Sequence, residues 1–134
     1  PAVLTEGGLR PAMRSLAARS TVPVAVDVDD LPEARLPAPV EATAYFVISE
    51  GLANIAKYAE ATRATVRLSS DPSMHEPRLR VEVSDDGIGG ADTSAGSGLR
   101  GLADRIGALD GTLSVISPPG GGTTLLAELP CASS

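Results

Sequence analysis

From Gly87 to Gly101 the chain carries glycine at positions 87, 89, 90, 96, 98 and 101, and no other feature restricts its fold as much. Glycine loses more backbone freedom on ordering than any other residue, so neither a helix nor a strand runs comfortably through such a stretch. A strand leading up to Asp85 must stop there, and a helix can start only near Leu99. The chain is therefore read in two parts.

In the first part, Leu9, Ala12, Met13, Leu16 and Ala17 recur at helical spacing and predict a helix over 9–18. Val22 to Val28 alternates with β-branched residues and reads as a strand. The acidic, proline-rich stretch 29–39 reads as a loop, followed by the longest helix, about Val40 to Ala59. Residues 64–69 and 78–83 alternate as strands across the polar loop 71–77. In the second part a helix over 99–109 stops at Gly111, read as its C-cap, and strands at 112–116 and 123–129 flank Ser117-Pro-Pro-Gly-Gly-Gly. Residues 1–8 and 131–134 read as irregular, loose termini.

Hairpins mixed with helices predict an α+β fold: a two-layer sandwich with a mixed sheet of about five strands and three helices on one face. A length of 134 residues suits one domain with its own core. With aromatic residues at 2%, that core must be built from Val, Leu, Ile and Ala. The net charge of −6 argues against a nucleic-acid surface. It does not argue against ATP, whose phosphates are commonly held by backbone N–H groups, a metal and one or two basic side chains. The lone Cys131 excludes an internal disulfide and a multi-cysteine metal site. No apolar run reaches transmembrane length and no signal-peptide pattern opens the chain, so it is expected to be soluble.

On the long helix, Tyr45, Ile48, Leu52, Ile55 and Ala59 fall on one stripe, with Glu50, Asn54 and Lys57 roughly opposite. A solvated polar face accounts for such a pattern. Asn54, however, is a poor mid-helix residue, because its amide competes for backbone partners. A carboxylate, an amide oxygen and an ammonium at this spacing can together hold a Mg²⁺–phosphate group. Asp85-Asp86-Gly87 at a strand end reads either as a hairpin turn or as the rim of a nucleobase pocket. In the pocket, Asp85 accepts a hydrogen bond from the adenine amino group, while Gly87 and Gly89 allow close approach. Gly96-Ser-Gly-Leu-Arg-Gly101 matches the dinucleotide-binding pattern in letters only, since it follows a polar loop and not a strand. Glycines opening a helix still present N–H groups and a positive dipole end to phosphate.

Three pieces thus stand in order: Glu50-x-x-x-Asn54-x-x-Lys57, Asp85-x-Gly87-x-Gly89, and Gly96-x-Gly98-Leu99-x-Gly101-Leu102. This order resembles the N, G1 and G2 boxes of the GHKL ATPases, and Gly122-Thr123 before the last strand is similar to their closing motif. Arg35-Leu-Pro, Ile48-Ser-Glu-Gly-Leu-Ala-Asn and Gly98-Leu-Arg-Gly-Leu-Ala-Asp-Arg-Ile resemble sensor histidine kinases that signal to LuxR/NarL-type response regulators. So does the short lid, Gly90 to Ala95.

The resemblance implies a Bergerat-type fold and a single ATP-binding catalytic domain over 1–134, part of a larger kinase. It implies Asn54 and Glu50 at a Mg²⁺ ion, with Glu50 beside the metal or polarising an attacking histidine. Lys57 is then at phosphate, and Asp85 at adenine with Thr123 in support. Gly87 and Gly89 shape the pocket; Gly96, Gly98, Leu99, Gly101 and Leu102 belong to the lid and helix start. The acceptor is then a histidine on a separate helical dimerisation domain of the same kinase, and the setting cytoplasmic. Tyr58 stands where many relatives have histidine, and the family's phosphoacceptor motif is absent: His75 lies in a polar loop. A stand-alone GHKL anti-sigma-factor serine kinase, which phosphorylates a serine of a partner protein, and a nucleotide-binding module without catalysis are the alternatives; retention of both Glu50 and Asn54 counts against the second.

Overall fold

The computed structural model describes residues 2–70, 75–90 and 99–131. Its elements are α1 (Ala2–Gly7), α2 (Leu9–Arg19), β1 (Val24–Asp27), α3 (Ala38–Asn54), a π-helical turn (Ile55–Ala59), β2 (Ala64–Ser70), β3 (Arg78–Asp85), α4 (Leu99–Ala108), β4 (Thr112–Ile116) and β5 (Thr123–Pro130). The strands form one sheet in the order β1-β2-β3-β5-β4, with β1 parallel to β2 and every other pair antiparallel. The mixed α+β sheet expected from the sequence is therefore present. No described helix is long and apolar enough to cross a membrane.

One face of the sheet is covered and the other is open. Along β2, Ala64, Val66 and Leu68 are buried while Thr65 and Arg67 are exposed, the period-2 signature of a one-sided sheet. Val81, Val83, Leu125, Ala127 and Leu129 continue the buried face on β3 and β5. On the open face Arg67 pairs with Asp27 and Asp30, and Arg80 with Glu82. Against the buried face pack Ala12, Met13 and Leu16 of α2, Val47 and Ile48 of α3, and Leu102 and Ile106 of α4.

Several expectations are corrected. The irregular start expected over 1–8 is helical over Ala2–Gly7, because Leu4 is buried and Arg35 supplies hydrogen bonds to the Leu4 and Thr5 carbonyls. The buried line of α3 runs through Ala44, Val47, Ile48, Gly51, Leu52 and Ile55, and Tyr45 sits half-buried at its edge. Gly51 moves the line: a Cβ there would lie 3.2 Å from Val83 Cγ1, so the helix approaches the sheet at its smallest residue. At the end of α4, Asp110 takes the left-handed conformation (φ 60°), not Gly111. The Gly111 N–H bonds to Ile106 O and the Asp110 N–H to Gly107 O, the two bonds of a Schellman cap. Gly111 is still required, since a Cβ would stand 2.5 Å from Glu128 O. Cys131, expected in a loose tail, is pinned through its N–H to Pro77 O, and burial pushes its thiol pKa up.

Candidate functional site

The strand end at Asp85 is held from both sides. Asp85 pairs with Ala64 of β2 and with Thr123 of β5, the last register position of β3. Its Oδ1 accepts the Gly87 N–H at 2.8 Å, which folds the chain back as an Asx-type turn. Asp85 is half-buried. Its other oxygen accepts no hydrogen bond from a described residue and remains available to a donor arriving from outside.

The next residue acts differently. The Asp86 carboxylate accepts the Thr62 N–H at 2.8 Å, the Arg63 N–H at 3.0 Å and the Thr62 hydroxyl. The Thr62 hydroxyl, followed by the two backbone donors, holds the Asp86 pKa down to about 2 from its ordinary 3.8. A carboxylate whose folded pKa is depressed contributes stability above its unfolded pKa and loses it as pH falls through the folded one. Acid unfolding of the wild type should therefore show an extra loss of stability between about pH 4 and pH 2 that is missing in Asp86→Asn. Parallel denaturant curves across that range check this, and identical pH slopes would exclude it.

Two glycines lace this turn to the one before β5. Gly89 and Gly122 have φ of 65° and 75°. A Cβ on Gly89 would stand 2.0 Å from Pro118 O, and one on Gly122 would stand 2.2 Å from Asp85 O. The Gly90 N–H donates to Ser117 O at 2.8 Å, and the Gly120 N–H to Ile88 O at 2.6 Å. Ser117 Oγ and Thr123 Oγ1 share a hydrogen bond of 2.6 Å. Thr123 is thereby fixed beside Asp85 on the neighbouring strand.

Helix α3 reaches the same end of the sheet. Gly51 rests on Val83, two residues before Asp85, and on Leu125, two after Thr123. From Gly51 the chain passes Asn54 and the π-turn and arrives at Thr62 and Arg63, which hold Asp86. The C-terminal end of α3 therefore runs toward the strand end. Glu50 and Asn54, one helical turn apart, are half-buried there, and Lys57 is exposed on the π-turn. Single π-turns within helices are rare and occur frequently at functional sites.

The glycine-rich segment is divided. Gly96 and Gly98 lie outside the described residues. Leu99 and Leu102 are buried in the core with Ile106, so their side chains anchor the start of α4. Gly101 is exposed, with open space where a side chain would stand. His75 is exposed in the loop before β3.

For a divalent cation, the donors on α3 are one carboxylate and one amide oxygen, both hard. Among the described residues no group of three or more His, Cys, Asp or Glu side chains is placed to hold a metal. The set fits Mg²⁺, which typically takes one or two protein ligands and completes its shell with phosphate oxygens and water.

Sequence reasoning missed two features of this site, the close approach of Gly122 to Asp85 O and the grip of Asp86 on Thr62 and Arg63, and one outside it, the anchoring of Glu41 by Arg35 at the other end of α3. The first had a visible signal, a triple glycine before a strand; the other two join residues whose pairing no spacing rule reveals.

Comparison with known proteins agrees with this architecture. The profile of the histidine kinase-, DNA gyrase B-, and HSP90-like ATPase family matches residues 40–133. The chain is 34% identical to the sensor histidine kinase NarS of Mycobacterium tuberculosis over 97% of its own length and 31% of that protein's. It is 32% identical to the sensor histidine kinase YxjM of Bacillus subtilis, over 84% of the chain and 27% of the relative. The chain thus spans under a third of either relative. The histidine kinase domain of a blue-light activated histidine kinase from Erythrobacter litoralis superposes with a TM-score of 0.67 at 26% identity, covering 91% of this chain and 58% of that one.

Proposed function

The chain belongs to the histidine kinase-, DNA gyrase B-, and HSP90-like ATPase family, and on that premise we propose that it is the Mg-ATP-binding catalytic domain of a sensor histidine kinase. In this reading Asp85 accepts a hydrogen bond from the adenine amino group through the oxygen that Gly87 leaves free. Guanine would present an acceptor oxygen at that point and be rejected. Thr123, fixed by Ser117, supports Asp85 from the neighbouring strand. Gly87 and Gly89 keep the base edge close to the backbone, and Gly96, Gly98 and Gly101 line the phosphate-facing lid and helix start.

Glu50 and Asn54 hold the metal and Lys57 meets phosphate charge. Bound Mg²⁺ would neutralise charge on the phosphates. What remains for the protein is positioning and electrostatic stabilisation, most of what phosphoryl transfer requires. The γ-phosphoryl goes to a histidine on a separate helical dimerisation domain of the same kinase, with Glu50 placed to polarise it. From there the signal passes to a response regulator of the LuxR/NarL type, in the cytoplasm.

The observation that carries this reading is the meeting, at one end of the sheet, of a half-buried carboxylate with a free oxygen and a helix end bearing Glu50 and Asn54. Calorimetric titration with a non-hydrolysable ATP analogue and Mg²⁺ tests it. The wild type should bind, and Asp85→Ala should weaken binding about tenfold or more, the loss of one charge-assisted hydrogen bond. Equal binding by the variant would sink the assignment of Asp85. The chain alone is expected to bind without labelling itself, because His75 is a loop residue. Mixed with the helical domain, it should yield acid-labile phosphate on histidine; acid-stable phosphate would point to a serine kinase.

A further inference from the structure

We propose that Asp86 is a positioning residue for base recognition, acting through Gly87 on the carboxylate of Asp85; the inference rests on the nucleotide reading above. Asp85 is the last residue of β3, so the ladder fixes its backbone but not the peptide that follows. Its side chain is oriented by the Gly87 N–H, and the direction of that N–H is set by the backbone of Asp86. Asp86 is exposed and begins a glycine-rich turn, a place where a backbone is ordinarily free to move. Here it is gripped: two backbone N–H groups and one hydroxyl, all from Thr62 and Arg63, bind its carboxylate, and its own N–H reaches Arg63 O at 3.4 Å.

The same grip joins the two ends of the site. Thr62 and Arg63 follow Lys57 by five and six residues, at the far side of the π-turn. Asp86 therefore sets the position of the base-reading carboxylate relative to the segment that meets phosphate. A residue acting only on stability would weaken every ligand alike. One that orients Asp85 affects the recognition of the adenine amino group in particular.

The test titrates the 134-residue chain with a Mg²⁺-loaded ATP analogue and with the same analogue built on purine lacking the 6-amino group. The wild type should prefer the adenine form about tenfold, the value of one such hydrogen bond. Asp86→Ala is expected to reduce that preference to about twofold. Asp86→Asn, whose amide oxygen can still accept both N–H groups, should restore most of it. If alanine unfolds the chain, Thr62→Val removes one donor of three and should lower the preference to about threefold. A wild-type preference retained in Asp86→Ala, or in Thr62→Val where alanine does not fold, overturns the inference and leaves the Asp85 reading intact. Absence of any preference in the wild type overturns both.

Discussion

Gly122→Ala is expected to abolish nucleotide binding and to lower the free energy of unfolding by about 3 kcal/mol. Two costs combine. The first is conformational: φ of 75° places position 122 where L-residues are strained by roughly 1 kcal/mol. The second is steric, because the new Cβ would stand 2.2 Å from Asp85 O, a backbone atom held in the β3–β5 ladder. Neither backbone yields cheaply, and overpacking of this kind costs about 1–3 kcal/mol. Relief can come only by pushing Asp85 away from Thr123, which displaces the carboxylate proposed to read the base. Gly120→Ala separates the two costs, since Gly120 has φ of 76° but open space around a Cβ. It should lose about 1 kcal/mol and keep its affinity. Urea unfolding and calorimetry on both variants check this; full nucleotide affinity in Gly122→Ala would show that the Asp85–Gly122 contact does not define the pocket.

These glycines show what the sequence made legible. A glycine-dense run signals that helix and strand must break, and the breaks at Asp85 and Leu99 fall where expected. The strand alternations at 64–69 and 78–83 and the stop of α4 were equally readable, because each is a local pattern with a local cause. Where long-range contact decides, local sequence pattern carries no signal. Leu99 and Leu102 carry letters of a glycine box and also the i, i+3 apolar spacing of a core-facing helix, and the burial of both follows from the second pattern. Asp110, and not the neighbouring glycine, holds the left-handed cap position, because Gly111 is needed for its lack of a side chain against β5. α1 is six residues long and marginal by itself, and its partner Arg35 comes some thirty residues later. Of the proposed site, Glu50, Asn54 and Asp85 can be named from chemistry and spacing, whereas the Gly87 N–H that orients Asp85 and the Thr62–Asp86 contact beside it cannot.

The largest stability effect outside the site should come from that same arginine: Arg35→Ala is expected to lower the melting temperature by about 10 °C, and by more than Glu41→Gln does. Glu41 is the only charged residue buried among those described, 4% exposed, in the first turn of α3. Its carboxylate takes both Nε and Nη2 of Arg35, the latter at 2.6 Å, and the Leu36 N–H at 3.4 Å. That hydrogen bond to Glu41, before any other cause, raises the arginine pKa. Removing Arg35 leaves a buried carboxylate with one long backbone bond, and frees the Leu4 and Thr5 carbonyls of α1 from the donors they share with it. Removing the charge from Glu41 leaves the half-exposed arginine able to return to water. The asymmetry is the usual one for a buried pair, where the unpaired buried partner costs more than the lost bond. It follows that Arg35→Ala combined with Glu41→Gln should melt higher than Arg35→Ala alone. Thermal denaturation of the three variants decides the matter: if the double variant melts no higher, Glu41 is not carrying an uncompensated charge, and the ion pair is not what anchors the start of the helix that bears Glu50 and Asn54.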